Sequence, residues 1–337
     1  MNESNSNRDF RDSVADVLAL IAPARRVALS AHQYPDGDAV GSCLAMADLL
    51  RAQGKEATVL LPRADVGPVR CLPGFDRVLD PDAWDFSAPP DLFVCLDCSD
   101  SSRICDDRIR AWVGTVPTLN IDHHGKALFG DRNYVVKDAS STGELVHDIA
   151  SAAGWPVSAE AAEALWCAIL TDTNRFTTPA TEPSTLRAAA DLVEKGVRIA
   201  WLAEQIYQRE PFNAFDLRRR AVDSLERWFG GSVAVISLGP DDFAETGCRK
   251  QDGETFPDIP NSLDGVQLAV YFYPFPVDDP GHTRISARSR PGSPVVAKDL
   301  AAHFGGGGHE HSAAATPALS VSETKRAVKE WLATRFP

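Results

Sequence analysis

The sequence predicts an α/β fold, with a mainly parallel, doubly wound sheet followed by a smaller C-terminal α/β domain. Three apolar runs of strand length, at 26–31, 91–96 and 116–121, end abruptly in polar residues and alternate with segments of helical spacing. Such alternation is typical of βαβ units, whose strands are parallel. A second series of strands and helices opens at about Gly231, and 337 residues are enough for two domains of ordinary size.

The elements up to residue 230 follow from the spacing of apolar residues and from the residues that stop helices. A mobile tail up to Phe10 leads into a short helix closed by Pro23, and Gly54 stops a later helix. Strands are predicted at 26–32, 58–61, 92–97 and 118–122, with a minor strand at 77–79. Helices are predicted at 39–53, 106–112, 142–153, 159–171, 184–195, 200–208 and 213–229.

The second domain has fewer elements. Its predicted strands are 232–237, 266–273 and 283–288, and its predicted helices are 295–303 and 321–335. We therefore place the first domain at 1–196, a helical linker at 197–230 and the second domain at 231–337.

Composition restricts the class of partner and the compartment. A net charge of −13 argues against a protein that coats duplex nucleic acid, because such proteins neutralise many phosphates with Lys and Arg. Seven cysteines without zinc-type CxxC pairs indicate free thiols in a reducing compartment. Residues 1–11 lack the apolar core of a signal peptide, and no apolar run reaches the roughly 18 residues of a membrane helix. We expect a cytoplasmic protein that does not bind membranes.

Chemistry is expected where the predicted strands end, because ligands of open α/β sheets bind at the carboxyl ends of the strands. Hard oxygen and borderline nitrogen donors cluster there: His32, Asp36, Asp38, Asp97, His123, His124 and Asp172. This set suits Mn²⁺ or Mg²⁺, and it exceeds what one ion needs, so it favours a two-metal site. The alternative for each residue is a helix cap or a hydrogen-bonded turn, which is the commoner role of a single His or Asp at a strand end.

A second group of polar residues lies near the C-terminus. Even spacing in a strand would place Arg284, Ser286 and Arg288 on one face, an arrangement suited to a phosphate. The glycines of Gly305–His309 would let backbone N–H groups approach an anion. A flexible glycine hinge and a solvated strand face are the alternatives.

Taken together, these motifs resemble the DHH phosphoesterase superfamily, in its RecJ-like branch of bimodular oligoribonucleases (nanoRNases) and 3′-phosphoadenosine-5′-phosphate (pAp) phosphatases. The motifs match in order, from residue 25 to about 316. They are His32-Gln-Tyr-Pro-Asp36-Gly-Asp38, Leu96-Asp97 followed by Arg103, Asp122-His123-His124, Ser140-Ser-Thr-Gly-Glu144, Thr171-Asp172-Thr173, Arg284-Ile-Ser-Ala-Arg288 and Phe304-Gly-Gly-Gly-Gly-His309.

The resemblance implies a role for each matched residue. It implies two Mn²⁺ ions, with Mg²⁺ as the alternative, one held by His32, Asp36 and Asp97 and the other by Asp38, Asp97, His123 and Asp172. His124 would contact the scissile phosphate or leaving oxygen, and Asp122 would orient the imidazoles. Arg103, Arg284, Ser286, Arg288, Gly306, Gly307, Gly308 and His309 would bind substrate, and the active site would lie in the cleft between the domains.

The function that the resemblance implies is metal-dependent hydrolysis, by water activated by two metal ions, of oligonucleotides of about two to five nucleotides, of pAp, or of both. The substrates would be short RNA, short DNA or small nucleotides, with a homodimer as a further possibility. The alternatives are an inorganic pyrophosphatase or exopolyphosphatase of the same superfamily, a linear or cyclic dinucleotide phosphodiesterase, and a non-catalytic nucleotide sensor. Two segments depart from the family pattern, Thr173-Asn-Arg-Phe176 and Gly308-His-Glu-His-Ser-Ala-Ala-Ala315, and they bear on substrate preference because neither contains an implied metal ligand.

Overall fold

The first unit is built on a five-stranded parallel sheet. This computed structural model describes residues 12–63, 66–124, 128–137 and 139–336, so the tail predicted to be mobile lies outside the described residues. The chain divides into two units between Arg209 and Glu210. The first sheet contains β1 (Arg26–Ser30), β2 (Glu56–Val59), β3 (Leu92–Leu96), β4 (Thr118–Asp122) and β5 (Arg132–Val135), and its spatial order is β2-β1-β3-β4-β5.

Both faces of this sheet are covered, as a doubly wound fold requires. Val27 and Leu29 of β1 face one core cluster, while Ala28, pointing the other way, faces a second. Successive strands therefore read as nearly continuous apolar runs. The helices of this unit are α1 (Val14–Ile21), α2 (Gly37–Ala52), α3 (Asp107–Arg110), α4 (Thr142–Ala153), α5 (Ala159–Asp172), α6 (Pro183–Glu194) and α7 (Ile199–Ala203), followed by a π-helical turn at Glu204–Gln208.

Small residues let three of these helices approach closely. A Cβ atom on Gly41 of α2 would lie 3.1 Å from the Cβ of Ala168 in α5, and one on Gly143 of α4 would lie 2.5 Å from the same atom. Distances under about 3 Å between such atoms are steric clashes, so glycine is needed at position 143 for α4 to pack where it does. Both α2 and α4 therefore pack against α5 at Ala168.

The second unit is a mixed six-stranded sheet with helices on both faces. Its strands are β6 (Glu226–Trp228), β7 (Val233–Ser237), β8 (Leu268–Pro274), β9 (Thr283–Ser289), β10 (Gly307–His309) and β11 (Ser312–Ala315), in the order β10-β11-β9-β8-β7-β6. Only β7 and β8 pair in parallel among these described neighbours. The helices are α8 (Phe212–Asp223), α9 (Pro240–Thr246), α10 (Asp258–Asn261), α11 (Ala297–His303) and α12 (Val321–Leu332).

Several predicted elements differ from the structure in extent. The helix predicted at 213–229 ends at Asp223, and residues 226–228 instead form β6, which pairs with β7. The helix predicted at 200–208 is α7 followed by the π-helical turn. The minor strand predicted at 77–79 is a single bridge from Leu79 to Leu60. None of the described helices is both long and apolar enough to cross a membrane.

The segment predicted as a linker, 197–230, contains the division between the units. Leu202 is buried in the core of the first unit, whereas Leu217 and Ala221 are buried in the second. Both halves of the segment are therefore packed on the unit to which they belong.

Candidate active site

The strand order places the predicted donors at a topological switch point. β1 and β3 are neighbours, and the chain leaves β1 toward β2 on one side and enters β3 on the other. A crevice forms outside the carboxyl ends of two such strands, and ligands of doubly wound folds bind there. His32 follows β1 by two residues, Asp97 follows β3 directly and His123 follows β4 directly.

One group of donors surrounds His32. Its Nε2 lies 3.4 Å from Asp97 Oδ2 and 3.9 Å from Asp36 Oδ2. The other oxygen of Asp36 accepts hydrogen bonds from the backbone of Asp38 and Ala39, so Asp36 also caps α2. His32, Asp36 and Asp97 converge closely enough for their ligand atoms to share one ion.

A second group surrounds His123. Its Nε2 lies 3.5 Å from Asp172 Oδ2, 3.6 Å from Asp97 Oδ1 and 3.8 Å from Asp38 Oδ2. Nδ1 lies 3.2 Å from the carbonyl oxygen of Ala139, which fixes the orientation of the ring and leaves Nε2 toward the carboxylates. Asp97 therefore presents one oxygen to each group.

His124 lies beside these groups with a partner of its own. Its Nδ1 is 2.8 Å from Asp122 Oδ1 and 3.5 Å from Asp97 Oδ1. Burial alone would lower the pKa of His124, but the hydrogen bond to Asp122 and the negative charges of Asp97 and Asp122 raise it to about 9. These carboxylates therefore favour the protonated form of the imidazole.

Carboxylates crowd this site. Burial, followed by the charges of neighbouring carboxylates, raises the pKa of Asp38 well above its ordinary value. Burial likewise raises the pKa of Asp172 to about 7, with Asp97 adding to the rise. Burial would also raise the pKa of Asp97, but His32 and His123 outweigh it and hold that pKa below the ordinary value. Buried acids whose charged forms disfavour one another are a donor set that fits divalent cations.

The backbone at Asp97 is in the left-handed region, with φ of 54°. A side chain other than glycine adopts this conformation rarely, and such residues cluster where function fixes them. The turn lets Asp97 follow β3 directly with its carboxylate buried between the two histidines.

A second strained turn follows Asp172. Asn174, Arg175 and Phe176 have φ of 43°, 64° and 62°, three successive left-handed residues. Thr173 holds the turn, since its hydroxyl accepts the Phe176 N–H and its carbonyl accepts the N–H groups of residues 177 and 178. Asn is among the side chains that best tolerate this conformation, which suits Asn174 to the first left-handed position of the turn.

Three residues that support the carboxylates were given no role from the sequence, although Thr142 and Gly143 stand in one of its motifs. Thr142 and Gly143 donate backbone hydrogen bonds of 2.7 and 2.9 Å to the two oxygens of Asp38, and the Ser42 hydroxyl donates at 3.0 Å. The Thr142 hydroxyl is also 3.3 Å from Asp97 Oδ1. The available signal was the Ser-Ser-Thr-Gly-Glu motif, which shows a helix start but not what the helix start faces.

Arg103 lies on the loop after Asp97 rather than among the donors. Its Nη1 donates to Ser99 Oγ at 3.2 Å, and its carbonyl accepts the N–H of Gln33. This backbone contact ties the loop after β3 to the loop after β1.

In the second unit, β9 presents its polar residues on one face. Thr283, Ile285, Ala287 and Ser289 are buried and the alternating residues Arg284, Ser286 and Arg288 are half-buried. Arg284 donates to Thr316 Oγ1 at 3.0 Å, and Arg288 Nε lies 3.5 Å from Asp258 Oδ1. Across β11, Ser312 pairs with both Arg288 and His309, so these three residues form one row across three strands.

The glycine tract is mostly a β-hairpin strand rather than a hinge. A Cβ on Gly306 would lie 2.1 Å from the carbonyl oxygen of Ala314, and one on Gly308 would lie 2.6 Å from the Ala313 Cα. Both glycines are therefore required by the approach of β11. In the segment 308–315, which differs from the family pattern, His311 Nδ1 lies 3.0 Å from Ser289 Oγ.

Comparison with known proteins places this arrangement in a family. The model of the DHH family, N-terminal domain, matches residues 26–169. A Thermus thermophilus protein named bifunctional oligoribonuclease and PAP phosphatase NrnA is 32% identical over 306 residues, which are 90% of this chain and 87% of that protein. The chain belongs to the DHH family.

Solved structures share the fold. An exopolyphosphatase-related protein from Bacteroides fragilis superposes with a TM-score of 0.84 at 24% identity, over 95% of this chain and 96% of that one. RecJ from Thermus thermophilus, in complex with Mn²⁺, gives a TM-score of 0.54 at 14% identity, over 96% of this chain and 54% of that one.

Proposed function

We propose that this chain is a phosphoric ester hydrolase that uses two divalent metal ions to hydrolyse oligonucleotides of about two to five nucleotides and pAp. The observation that carries this proposal is the pair of donor groups that share Asp97, with the His124–Asp122 pair beside them. The activity named for the Thermus thermophilus relative, oligoribonuclease and PAP phosphatase, supports the same substrates.

In this proposal each donor group binds one ion. His32, Asp36 and Asp97 hold the first, and Asp38, Asp97, His123 and Asp172 hold the second. When bound, two such ions would supply the activation of a water molecule and the stabilisation of charge on the phosphate oxygens.

The chain itself supplies the remaining steps. His124 is proposed to donate a proton to the leaving oxygen, because the hydrogen bond between Nδ1 and Asp122 favours the protonated ring. Asp122 fixes the ring through Nδ1. Arg103, which lies near the same loops, is proposed to contact the substrate.

The second unit is proposed to bind a phosphate or terminal nucleotide that does not react. Arg284, Ser286 and Arg288 present their polar groups on one face, and a guanidinium with such neighbours is suited to a phosphate. Gly306, Gly307, Gly308 and His309 form the other half of this proposed binding surface.

Mn²⁺ is the proposed ion. His32 and His123 contribute imidazole nitrogen, which Mg²⁺ accepts less readily than Mn²⁺ does. We further propose that the enzyme works in the cytoplasm, where its seven cysteines, all free in the structure, would stay reduced.

A pyrophosphatase or exopolyphosphatase is the second candidate among enzymes, because the B. fragilis neighbour is named as an exopolyphosphatase-related protein. The arginine face of β9 favours a substrate with a second, remote phosphate on a nucleotide. A dinucleotide phosphodiesterase and a nucleotide sensor are the other candidates, although a sensor would not need six metal donors.

A panel assay tests the proposal. Purified protein with Mn²⁺ is incubated with pAp, the dinucleotide pApA, a trinucleotide, a long single strand and pyrophosphate, and Asp97→Asn protein serves as the control. We expect hydrolysis of pAp and the short oligonucleotides, which Asp97→Asn abolishes. Preference for pyrophosphate, or turnover that survives in the control, would refute the proposal.

A further inference from the structure

Two polar links join α4 to α6, and only one of them leads toward the candidate active site. Near the start of α4, the Thr185 hydroxyl of α6 donates to Glu144 Oε2 at 3.0 Å. One turn later, His147 Nε2 lies 2.9 Å from Asp191 Oδ2. The first link is deeply buried, since Glu144 is 5% exposed and Thr185 is fully buried.

The buried link continues into the segment that precedes α4. The same oxygen of Glu144 accepts the hydroxyl of Ser140 at 2.5 Å and its backbone N–H at 3.2 Å. The hydroxyl of Ser141 meanwhile caps the helix by accepting the Glu144 N–H at 3.1 Å. Glu144 therefore gathers three donors onto one oxygen and fixes the path of residues 140–142.

This segment touches three of the proposed metal ligands. Thr142 and Gly143 donate to Asp38, the Thr142 hydroxyl is 3.3 Å from Asp97, and the carbonyl of Ala139 meets His123. Two backbone N–H groups at the start of a helix present partial positive charge to a carboxylate, and they also restrict its rotation. A displacement of this segment would move or release Asp38.

We propose that Glu144 and Thr185 are positioning residues for the metal centre, because they clamp the start of α4 and, through Thr142 and Gly143, aim the carboxylate of Asp38. This inference rests on the proposed two-metal function. It concerns affinity for the ion bound by Asp38, His123 and Asp172 before any reaction occurs. Groups that hydrogen-bond a metal ligand directly typically change metal affinity by about 10–100-fold, and Glu144 and Thr185 act one contact further out, so we expect the lower end of that range.

The His147–Asp191 link provides the matched control. It joins the same two helices, it includes a half-exposed carboxylate, and the described contacts do not connect it to residues 139–143. If the Glu144–Thr185 link only stabilised the fold, breaking either link should have the same effect on Mn²⁺ affinity. If it positions Asp38, breaking it should lower Mn²⁺ affinity more than breaking the His147–Asp191 link does, even where both changes lower the melting temperature equally.

The test compares Thr185→Val, Thr185→Ser, Glu144→Gln and Asp191→Asn in the full chain. Mn²⁺ is titrated into metal-free protein and followed by the electron paramagnetic resonance signal of free Mn²⁺, and melting of the metal-free protein is measured by calorimetry. Thr185→Val removes the donor to Glu144 and also an acceptor for the Glu182 N–H at the start of α6. Thr185→Ser keeps the hydroxyl but removes the methyl group, so it shows whether the hydrogen bonds or the packing of this side chain matter.

We expect Thr185→Val and Glu144→Gln to weaken the binding of one of two Mn²⁺ ions by about tenfold or more. Thr185→Ser should keep the Mn²⁺ affinity of the parent, and the Mn²⁺ affinity of Asp191→Asn should stay within about twofold of the parent value. Equal loss in Thr185→Val and Asp191→Asn, no loss in Thr185→Val, or a parent protein that binds no Mn²⁺ would each overturn the inference. A parent that binds two Mn²⁺ but hydrolyses no phosphoester would refute the proposed function alone, because the affinity comparison does not depend on turnover.

Discussion

Asp122 Oδ1 lies 2.8 Å from His124 Nδ1, and the aspartate is fully buried. The two residues are two positions apart in the chain, on either side of His123, so a single turn at the end of β4 supplies both a proposed metal ligand and a proposed proton donor. The hydrogen bond at Nδ1 sets the direction of the His124 ring. It follows that loss of His124 and loss of a metal ligand should have different consequences.

Substitution of His124 should impair turnover and leave metal binding intact. We expect His124→Ala to lower kcat by about 10²–10⁴-fold, the range for a positioned acid or electrostatic group. Asp97→Ala should instead lose bound Mn²⁺ together with activity, because Asp97 contributes to both donor groups. Metal content by elemental analysis and kcat with pAp are the two measurements. If both variants lost metal to the same degree, the division of roles between His124 and Asp97 would be wrong.

Removal of Arg288 should affect nucleotides far more than a simple ester. We expect Arg288→Ala to lower kcat/KM for pAp by about 10–100-fold, since a hydrogen bond to a charged group contributes about 1.5–3 kcal/mol. Hydrolysis of bis-p-nitrophenyl phosphate, which lacks a second phosphate, should change little.

Arg290 provides the control for that experiment. It directly follows Ser289, the last residue of β9, and donates to the carbonyl of Asn261 at 2.8 Å. Arg290→Ala removes the same charge from a side chain that is bonded to the Asn261 carbonyl and is not among the residues proposed to bind the phosphate, so kcat/KM for pAp should be nearly unchanged. Equal loss on pAp and on the simple ester in Arg288→Ala would show that this arginine supports the enzyme without binding the remote phosphate.

The contact of Gly143 with Ala168 predicts a steric effect that a second substitution can relieve. Gly143→Ala places a methyl group 2.5 Å from the Ala168 Cβ, so we expect the free energy of unfolding to fall by about 1–3 kcal/mol. Ala168→Gly alone should cost about 1 kcal/mol of helix stability. The double variant should lose less than the sum of the two, as denaturant titration of all four proteins would show. Strict additivity would mean that the two side chains do not compete for the same space.

The link between α4 and α6 at His147 predicts a dependence of stability on pH. Asp148 beside Nδ1 and Asp191 against Nε2 outweigh burial and raise the pKa of His147. Because the pKa is higher in the folded protein, the stabilisation is fully present below the ordinary histidine value and is lost as pH rises through the raised value. His147→Gln should therefore lower Tm more at about pH 6 than at about pH 9. Val146→Ala, an apolar loss on the same helix, should lower Tm equally at both, and the same pattern for His147→Gln would contradict the assignment.

The sequence was sufficient to predict the parts of the site that lie at strand ends. His32, Asp97 and His123 each follow an apolar run within two residues, and parallel strands bring such ends to one edge. The doubly wound class followed from the same runs, and the comparisons confirm it.

Contacts between distant parts of the chain could not be predicted in this way. Asp38 and Thr142 are 104 positions apart, and nothing in either local pattern shows that the start of α4 faces this carboxylate. Two strands lack the apolar alternation that indicates a strand in the sequence. They are β5, which begins with the exposed or half-buried Arg132 and Asn133, and β10, which is Gly-Gly-His. Each is a strand because it pairs with a neighbouring strand, and a local sequence pattern does not show that pairing.

The left-handed backbone of Asp97 makes this position one where glycine would be the ordinary residue. Glycine adopts φ of 54° without the steric cost that a side chain carries, but it would also remove the carboxylate whose charged form His32 and His123 stabilise. Asp97→Gly and Asp97→Ala both lose that carboxylate and differ in the backbone cost alone, so in metal-free buffer the glycine variant should melt at the higher temperature of the two. An aspartate in this conformation therefore has a backbone cost that its carboxylate offsets, and a variant library screened for folded protein alone should favour glycine over every other replacement.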